Sequence, residues 1–205
     1  MKPFRLLAVL AVFVILSVGI QSASAQSRKW AVKGATANTT ALPPDLLKVN
    51  YFSNANTAGA PDGTVRMTDP GTSPGNICAQ IYVFDPYQEM AECCACLLTP
   101  DGLKTLSVNV DLTSNPLTGV TLNNGTVSVV SGVPLPGNQC SPLNPYVEPA
   151  IRAWGTHIQN GAFAITETAY SDVQLSQAND SLLIECYAIQ LDGSGHGTCS
   201  CGSGD

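Results

Sequence analysis

Eight cysteines limit the folds open to this chain more than any other feature of its sequence. Their number is even, and several lie close together, in Cys93-Cys94-Ala95-Cys96 and in Cys199-Ser200-Cys201. If all are oxidised, four bridges tie distant segments together, and roughly a hundred connectivities are open. The cysteines are Cys78, Cys93, Cys94, Cys96, Cys140, Cys186, Cys199 and Cys201.

The first of these clusters indicates bridges that leave the cluster. Adjacent cysteines rarely bridge each other, because the small ring strains the peptide bond and the usual separation of Cα atoms is larger. On a strand, Cys94 and Cys96 would share one face while Cys93 points to the other. We therefore expect these three cysteines to reach separate partners, two of which Cys199 and Cys201 could supply. The alternative is a thiolate cluster that binds zinc or copper(I), although the paired spacing typical of zinc sites is absent.

The N-terminal segment predicts export. A positively charged start precedes an uncharged apolar run over residues 6–20, and the small residues Ala23 and Ala25 follow. This order is typical of a signal peptide over residues 1–25, cleaved before Gln26. A retained membrane anchor is the alternative, but the run is shorter than the ~20 residues that a spanning helix needs. Export would make the protein secreted, periplasmic or attached to the cell surface, where disulfides are the default.

The charge balance excludes two classes of partner. Charged residues make up 12% of the chain, and 9 lysines and arginines stand against 15 acids, for a formal net charge of −6. Nucleic acids and anionic membrane surfaces both select clustered cations. We therefore expect no nucleic acid and, once the signal peptide is cleaved, no membrane among the partners. The hydrophobic content of 44% excludes a disordered chain.

The mature chain is predicted to consist of an arm and a domain. Residues 26–47 are rich in Ala, Thr and Asn and lack a pattern strong enough for an element of their own. Pro43-Pro44 favours extended backbone near the end of this segment. We expect a flexible N-terminal arm over residues 26–47 and a disulfide-rich β domain over residues 48–205. A domain of this length can bury a core without help, so its bridges should add durability.

Short alternating segments separated by turn residues favour an antiparallel β-sandwich-like fold. The clearest segment is residues 77–84, where both faces are mostly apolar. Turn signals include Thr99-Pro100-Asp101-Gly102 and Asn123-Asn124-Gly125. The predicted strands cover residues 49–52, 63–68, 77–84, 103–112, 126–130, 150–158 and 162–168.

One short C-terminal helix completes the predicted fold. Apolar residues follow i, i+4, i+7 spacing from Leu182, Ser176 suits the N-cap and Gly193 suits the helix stop. We predict a helix over residues 177–190, with a strand as the alternative. The fold class is therefore mainly β, a disulfide-bridged sandwich-like domain with one short C-terminal helix.

Two segments that contain the clustered cysteines have a distinctive order of residues. The first is Ile81-Tyr82-Val83-Phe84-Asp85 followed by Glu89-Met90-x-Glu92-Cys93-Cys94-x-Cys96, and the second is Gly193-Ser194-Gly195-x-Gly197-x-Cys199-x-Cys201. From Ile77 onward the chain resembles a family of uncharacterised secreted bacterial proteins rich in cysteine. No activity is established for that family, so the resemblance implies only secretion and bridged cysteines.

Candidate catalytic residues are few. His157, among apolar residues, is expected to be packed or at the surface, and His196, in a glycine-rich loop, is expected to be solvated. Glu89 and Glu92 could pair as acid and base on one helical face, but two carboxylates in a polar connection are more often solvated. No serine lies in Gly-x-Ser-x-Gly. We therefore expect no catalysis and no cofactor.

Candidate binding residues give equally general signals. Trp30 and Trp154 with six tyrosines could form a sugar-binding platform, but core packing is the stronger expectation for these aromatics. Asp192-Gly193-Ser194 has the start of a calcium loop without the ladder of ligands that such a loop needs. Three segments fit the N-glycosylation pattern, beginning at Asn38, Asn124 and Asn179.

Three classes of function remain open. The first is an extracellular structural or adhesive protein that can self-assemble, the second a secreted module that binds glycan or another ligand, and the third an extracellular hydrolase or redox protein. The third ranks last because no nucleophile–base pair is visible. The first is favoured because few lysines are present to guard sheet edges against pairing with another chain. The arm could add as a strand to a neighbouring copy and form a homo-oligomer, the alternative being a frayed terminus.

Overall fold

The computed structural model describes residues 31–32, 45–159, 162–175 and 180–202. In these ranges, no helix combines the length and the apolar character that a membrane span requires. Outside them lie the predicted signal peptide, most of the arm, Trp30, Asn38, Ser176 and Asn179.

The described residues form two β-sheets and one α-helix, which confirms the predicted fold class. The helix, α1, spans Ser181–Asp192. The strands are β1 (Ala31–Val32), β2 (Leu47–Phe52), β3 (Thr64–Thr68), β4 (Ile77–Phe84), β5 (Met90–Leu98), β6 (Leu103–Ser107), β7 (Gly125–Gly132), β8 (Tyr146–Val147), β9 (Arg152–Ile158), β10 (Ile165–Ala169) and β11 (Ser171–Val173).

The larger sheet has seven strands and is built around β7. Strand β7 pairs antiparallel with β4 on one side and with β2 on the other. Strand β5 extends the sheet beyond β4, and β11 extends it beyond β2. At the end of β7, Gly132 pairs with Val147 of β8, and β1 lies parallel to β8. The smaller sheet is antiparallel, in the order β10-β9-β3-β6.

Two hydrophobic clusters hold three layers together. The first belongs to the two sheets and includes Val65, Met67, Leu106, Ile81 and Val129. The second belongs to the opposite face of the larger sheet and to α1, and it includes Tyr82, Val130, Leu183, Cys186 and Ile189. The alternation on β4 serves both clusters, because Ile81 faces the smaller sheet and Tyr82 faces the helix. This is why residues 77–84 are apolar on both faces.

All eight cysteines form disulfides, in the pairs Cys78–Cys140, Cys93–Cys186, Cys94–Cys199 and Cys96–Cys201. The prediction of three separate partners for Cys93, Cys94 and Cys96 is confirmed. Cys93 belongs to the cluster beside α1, whereas Cys94 and Cys96 belong to the cluster between the sheets. Strand alternation therefore sends one bridge to the helix and two to the C-terminal tail.

The C-terminal tail, residues 193–202, runs along the outer side of β5. The N–H of Cys93 donates to the carbonyl of Gly197 at 2.9 Å, and the N–H of Gly197 donates to the carbonyl of Asn115 at 2.7 Å. Gly197 has a φ of 81°, and a Cβ at this position would lie 2.3 Å from Ile189 Cγ2. A glycine is required here for both reasons. The tail thus accepts one backbone hydrogen bond from β5 and is held beside it by two disulfides.

The predicted strand over residues 103–112 is correct only in its first half. The strand ends at Ser107, and Val108–Leu112 form a π-helical turn. Ser107 Oγ accepts the N–H of Val110 at 2.8 Å, and Asp111 Oδ2 accepts the N–H of Ser107 at 2.8 Å. Such side-chain bonds compete with strand pairing. Val110 is consequently 68% exposed, although the alternation places it on a shared face with its apolar neighbours.

Two further boundaries differ from the prediction. No strand is predicted for Met90–Leu98, yet these residues form β5, which is largely buried on both faces. The helix covers Ser181–Asp192 rather than residues 177–190, and the alternative of a strand there is wrong. Gly193 ends the helix in the left-handed conformation, as predicted.

The last residues of the predicted arm lie in the core. Leu46 and Leu47 are 0% and 3% exposed and belong to the cluster beside α1. Before them, Asp45 binds Lys48 at 2.8 Å and also pairs with Arg152. Hydrogen bonds from Arg152 and then Lys48 lower the pKa of Asp45 to about 2. The core therefore includes residues that the sequence analysis assigns to the arm.

Candidate functional site

One long sheet edge has no strand beside it in the described structure. Strand β10 pairs only with β9, β11 pairs only with β2, and every residue of both strands is exposed. Tyr170 joins the two strands, is 7% exposed and donates its N–H to the carbonyl of Ala153 at 2.9 Å. We term residues 165–173 the free edge. It crosses from one sheet to the other and is anchored at its middle.

The charges on the free edge are offset by neighbouring strands. Glu167 forms an ion pair with Arg66 of β3, and Asp172 forms one with Lys48 of β2. Residues 165–173 include no lysine or arginine. Charged side chains, lysine above all, normally oppose the pairing of an edge with another chain. The free edge has no lysine or arginine, and both of its acids are ion-paired, so this protection is weaker there.

The other sheet edges carry protecting features. The C-terminal tail lies beside β5, and β1 lies beside β8. Strand β6, at the far side of the smaller sheet, holds Lys104 at 5% exposure. An inward-pointing charge is one of the means by which natural sheets discourage edge pairing.

A separate feature, the sheet groove, lies on the helix-side face of the larger sheet. It is an open depression of about 730 Å³ beside Leu182 at the start of α1. Its floor is a row of cross-strand neighbours, because Thr126 of β7 pairs with Tyr51 of β2 and with Phe84 of β4. The loops around this row add polar side chains, namely Ser53, Asp85, Gln88 and Asn124.

His157 fixes one aromatic ring of the sheet groove. It is 2% exposed on β9, and its ring stacks on Tyr51 with centroids 4.1 Å apart and planes at 30°. Its Nε2 lies 2.7 Å from Thr168 Oγ1. Burial lowers the pKa of His157. The expectation of a packed histidine fits this placement, and Tyr51, 52% exposed, is held in one orientation.

The rim of the sheet groove is a tight turn between β4 and β5. Asp85 Oδ1 accepts the N–H groups of Tyr87 at 2.8 Å and Glu89 at 2.9 Å. The other oxygen, Oδ2, has no hydrogen bond among the described residues. Gln88 has a φ of 71° and is exposed. The turn therefore presents an amide and a carboxylate oxygen beside the aromatic floor.

Most of the tyrosines do not pack in the core, contrary to the sequence expectation. Tyr82 and Tyr170 are buried. The exposed aromatics are Tyr51 at 52%, Tyr87 at 84%, Tyr146 at 55%, Tyr187 at 45% and Trp154 at 36%. They do not gather into one platform, because Tyr51 alone among these five lines the sheet groove.

Glu92 is buried, contrary to the prediction that it is solvated. It lies in β5 at 0% exposure, where Oε1 accepts the N–H of Asn115 at 2.9 Å and Oε2 has no partner in the described structure. Burial raises its pKa to about 7. Glu89 is exposed in the turn before β5, so the two carboxylates do not pair on a helical face. The error follows from the missed strand.

The remaining candidates have no shared site. His196 is exposed, as expected, with Nδ1 2.8 Å from Asn115 Oδ1. Asp192-Gly193-Ser194 forms the exposed end of α1, and Asn124 is exposed in its turn. The described ranges hold no group of three or more His, Cys, Asp or Glu residues that could bind a metal ion. The cysteines are all bridged, so the thiolate cluster considered as an alternative is not formed.

Comparisons with known proteins give no relative from which a function could be transferred. No family model, no curated protein and no solved structure matches the chain. The resemblance of the cysteine segments to uncharacterised secreted proteins stays a prediction. Function has to be inferred from the residues of this chain.

Proposed function

We propose that the protein is an exported structural or adhesive protein that assembles with copies of itself through the free edge. The uncovered backbone of residues 165–173 carries this proposal. Such an edge is a template for pairing with another chain. Because β5, β6 and β8 are protected, residues 165–173 are the edge that we expect to pair with another chain.

The segment that would pair with the free edge is the arm of a neighbouring copy. Arg28, Lys29 and Lys33 make the arm basic, and no acid follows them before Asp45. The rest of the mature chain is acidic, so opposite charges favour the approach of arm and domain. An extended segment added to a sheet edge gains main-chain hydrogen bonds. In the chain itself, Ala31–Val32 pairs with β8. Donation of these residues to a neighbour would exchange that pairing for one with the neighbour's free edge.

The disulfides support an extracellular setting for this role. Four bridges are typical of proteins in oxidising compartments. We infer a secreted, periplasmic or cell-surface protein that has lost residues 1–25 as its signal peptide. Bridges also slow irreversible unfolding, which benefits a protein that must persist outside the cell. The role proposed here includes no catalysis and no cofactor.

Deletion of the arm is expected to abolish assembly. The mature chain, residues 26–205, should show concentration-dependent association in sedimentation velocity, whereas a chain that begins at Asp45 should stay monomeric. The shortened chain keeps every residue of both hydrophobic clusters, so it should fold. Circular dichroism of the two chains checks this. A mature chain that is monomeric at all concentrations would contradict self-assembly, and a shortened chain that still associates would contradict strand donation by the arm.

Two lysines on the free edge test the other side of the same contact. Ile165→Lys with Val173→Lys, at positions 59% and 40% exposed, should leave the mature chain monomeric. Leu103→Lys with Val110→Lys is the matched control, because it adds the same charge at positions 66% and 68% exposed, away from the free edge. The control should associate like the parent. Equal association of both variants would exclude the free edge as the contact.

A further inference from the structure

We propose that the sheet groove binds a neutral saccharide, with one sugar ring stacked on Tyr51. This site is separate from the free edge, so its test can fail without any effect on self-assembly. The floor is a row of side chains from three adjacent strands, Tyr51, Thr126 and Phe84. Strands in a sheet lie about 4.8 Å apart, which places Tyr51 and Phe84 on strands about 10 Å apart.

The chemistry of the floor matches the face of a sugar ring. A pyranose ring has apolar C–H groups on its faces and hydroxyl groups around its rim. Tyr51 provides a flat apolar surface with a polar end, which is the combination that suits such a ligand. Half of the Tyr51 side chain is exposed, and the stack on His157 fixes its ring before any ligand arrives. A ring that is already ordered loses little conformational entropy on binding.

The chemistry of the rim matches the hydroxyl groups. Gln88 and Asn124 are exposed amides that can both donate and accept hydrogen bonds. Asp85 adds a carboxylate whose Oδ2 makes no hydrogen bond within the described ranges. Ligand sites of this type are mostly apolar with a few polar groups around them, and their volumes are typically 300–1,000 Å³. The groove, at about 730 Å³, has room for a short oligosaccharide.

The charge of the lining disfavours an anionic ligand. Among the described residues that line the groove, Asp85 is the single charged one, and no lysine, arginine or histidine accompanies it. An acidic sugar, a phosphate or a nucleotide would meet a negative charge without a compensating cation. A purely hydrocarbon ligand would leave the polar rim unpaired.

Oligosaccharide titration tests the site directly. The probes are neutral hexasaccharides of β-1,4-glucose, β-1,4-N-acetylglucosamine, β-1,3-glucose and α-mannose, added to the mature chain in isothermal titration calorimetry. At least one of them should bind. Tyr51→Ala should weaken that binding by about ten-fold or more, equivalent to about 1.4 kcal/mol. Tyr51→Phe keeps the stacking surface and should stay within about two-fold of the parent.

Two further variants separate the sheet groove from general effects. Gln88→Gly removes the amide at a φ of 71°, which glycine adopts without strain, and should weaken binding several-fold while the fold stays intact. Tyr146→Ala is the matched control, since Tyr146 is 55% exposed on the same sheet outside the groove, and it should bind like the parent. The proposal is overturned if none of the four sugars binds at millimolar concentration. It is also overturned if Tyr51→Ala binds as tightly as the parent.

Discussion

Removing the Cys78–Cys140 bridge by alanine substitution is expected to lower the free energy of unfolding by about 4 kcal/mol, more than the loss of either bridge to the tail. Its partners are 62 residues apart, and no other bridge shortens this loop appreciably. The tail bridges each span 105 residues. However, the Cys93–Cys186 bridge already connects β5 to the helix that precedes the tail. Through that bridge, the tail bridges close only loops of about 15 residues or fewer. Loss of Cys96–Cys201 alone should therefore cost about 2 kcal/mol.

The comparison between these two variants is matched for packing. Cys78 and Cys96 are each 1% exposed, and their partners Cys140 and Cys201 are both half-buried. Both variants lose the same side chains, so the difference between their stability losses reflects the lengths of the loops that the two bridges close. Guanidinium unfolding of the oxidised variants gives both losses of unfolding free energy, if all curves are fitted with one common dependence of that free energy on denaturant concentration. If the Cys96–Cys201 variant lost as much stability as the Cys78–Cys140 variant, the idea that Cys93–Cys186 shortens the loops closed by the tail bridges would be wrong.

Glu92→Gln is expected to stabilise the protein by about 3 kcal/mol at pH 8 and by little at pH 4. Burial raises the pKa of Glu92 from 4.5 to about 7, so the folded state disfavours the charged carboxylate. The stability contributed by the protonated group is complete below pH 4.5 and is lost as the pH rises through 7. Glutamine stays neutral throughout and can still accept the N–H of Asn115 through its oxygen.

The measurement is the difference in unfolding free energy between variant and parent across pH 4 to 8. Other titrating groups are common to both proteins and cancel in this difference. Glu89→Gln provides the control, because Glu89 is exposed three residues earlier in the chain, and its stability should follow the parent. A difference for Glu92→Gln that stays flat with pH would show that folding does not raise the pKa of Glu92.

Local sequence patterns predicted the structure correctly where residues close in the chain determine it. The alternation in residues 77–84 gave β4 at its observed limits, because both faces of that strand pack on apolar layers. The spacing of Cys93, Cys94 and Cys96 predicted a separate partner for each cysteine, because adjacent cysteines rarely bridge each other. Gly193 likewise predicted the end of α1.

Other features depend on contacts that no local pattern contains. Residues 90–98 form a strand because β4 lies on one side of them and the tail on the other. In the sequence, the glutamate at position 92 indicates a polar connection, although Glu92 is buried in the structure. The π-helical turn after Ser107 depends on hydrogen bonds that the side chains of Asp111 and Ser107 accept from backbone N–H groups. The sheet groove lies where Leu182, at the start of α1, meets the row of Tyr51, Thr126 and Phe84 on the larger sheet. Its position could not be deduced from aromatic content.

The three bridges of β5 determine when disulfide pairing in this molecule can be completed. In an exported chain, Cys94 and Cys96 reach the oxidising compartment 105 residues ahead of their partners, and Cys93 arrives 93 residues ahead of Cys186. During that interval, neighbouring thiols lie side by side and can exchange with any earlier disulfide. Correct pairing therefore waits for the last few residues of the chain. A protein cut short just before Cys199 would carry two unpaired thiols, which a thiol-specific label would reveal as a mark of incomplete synthesis.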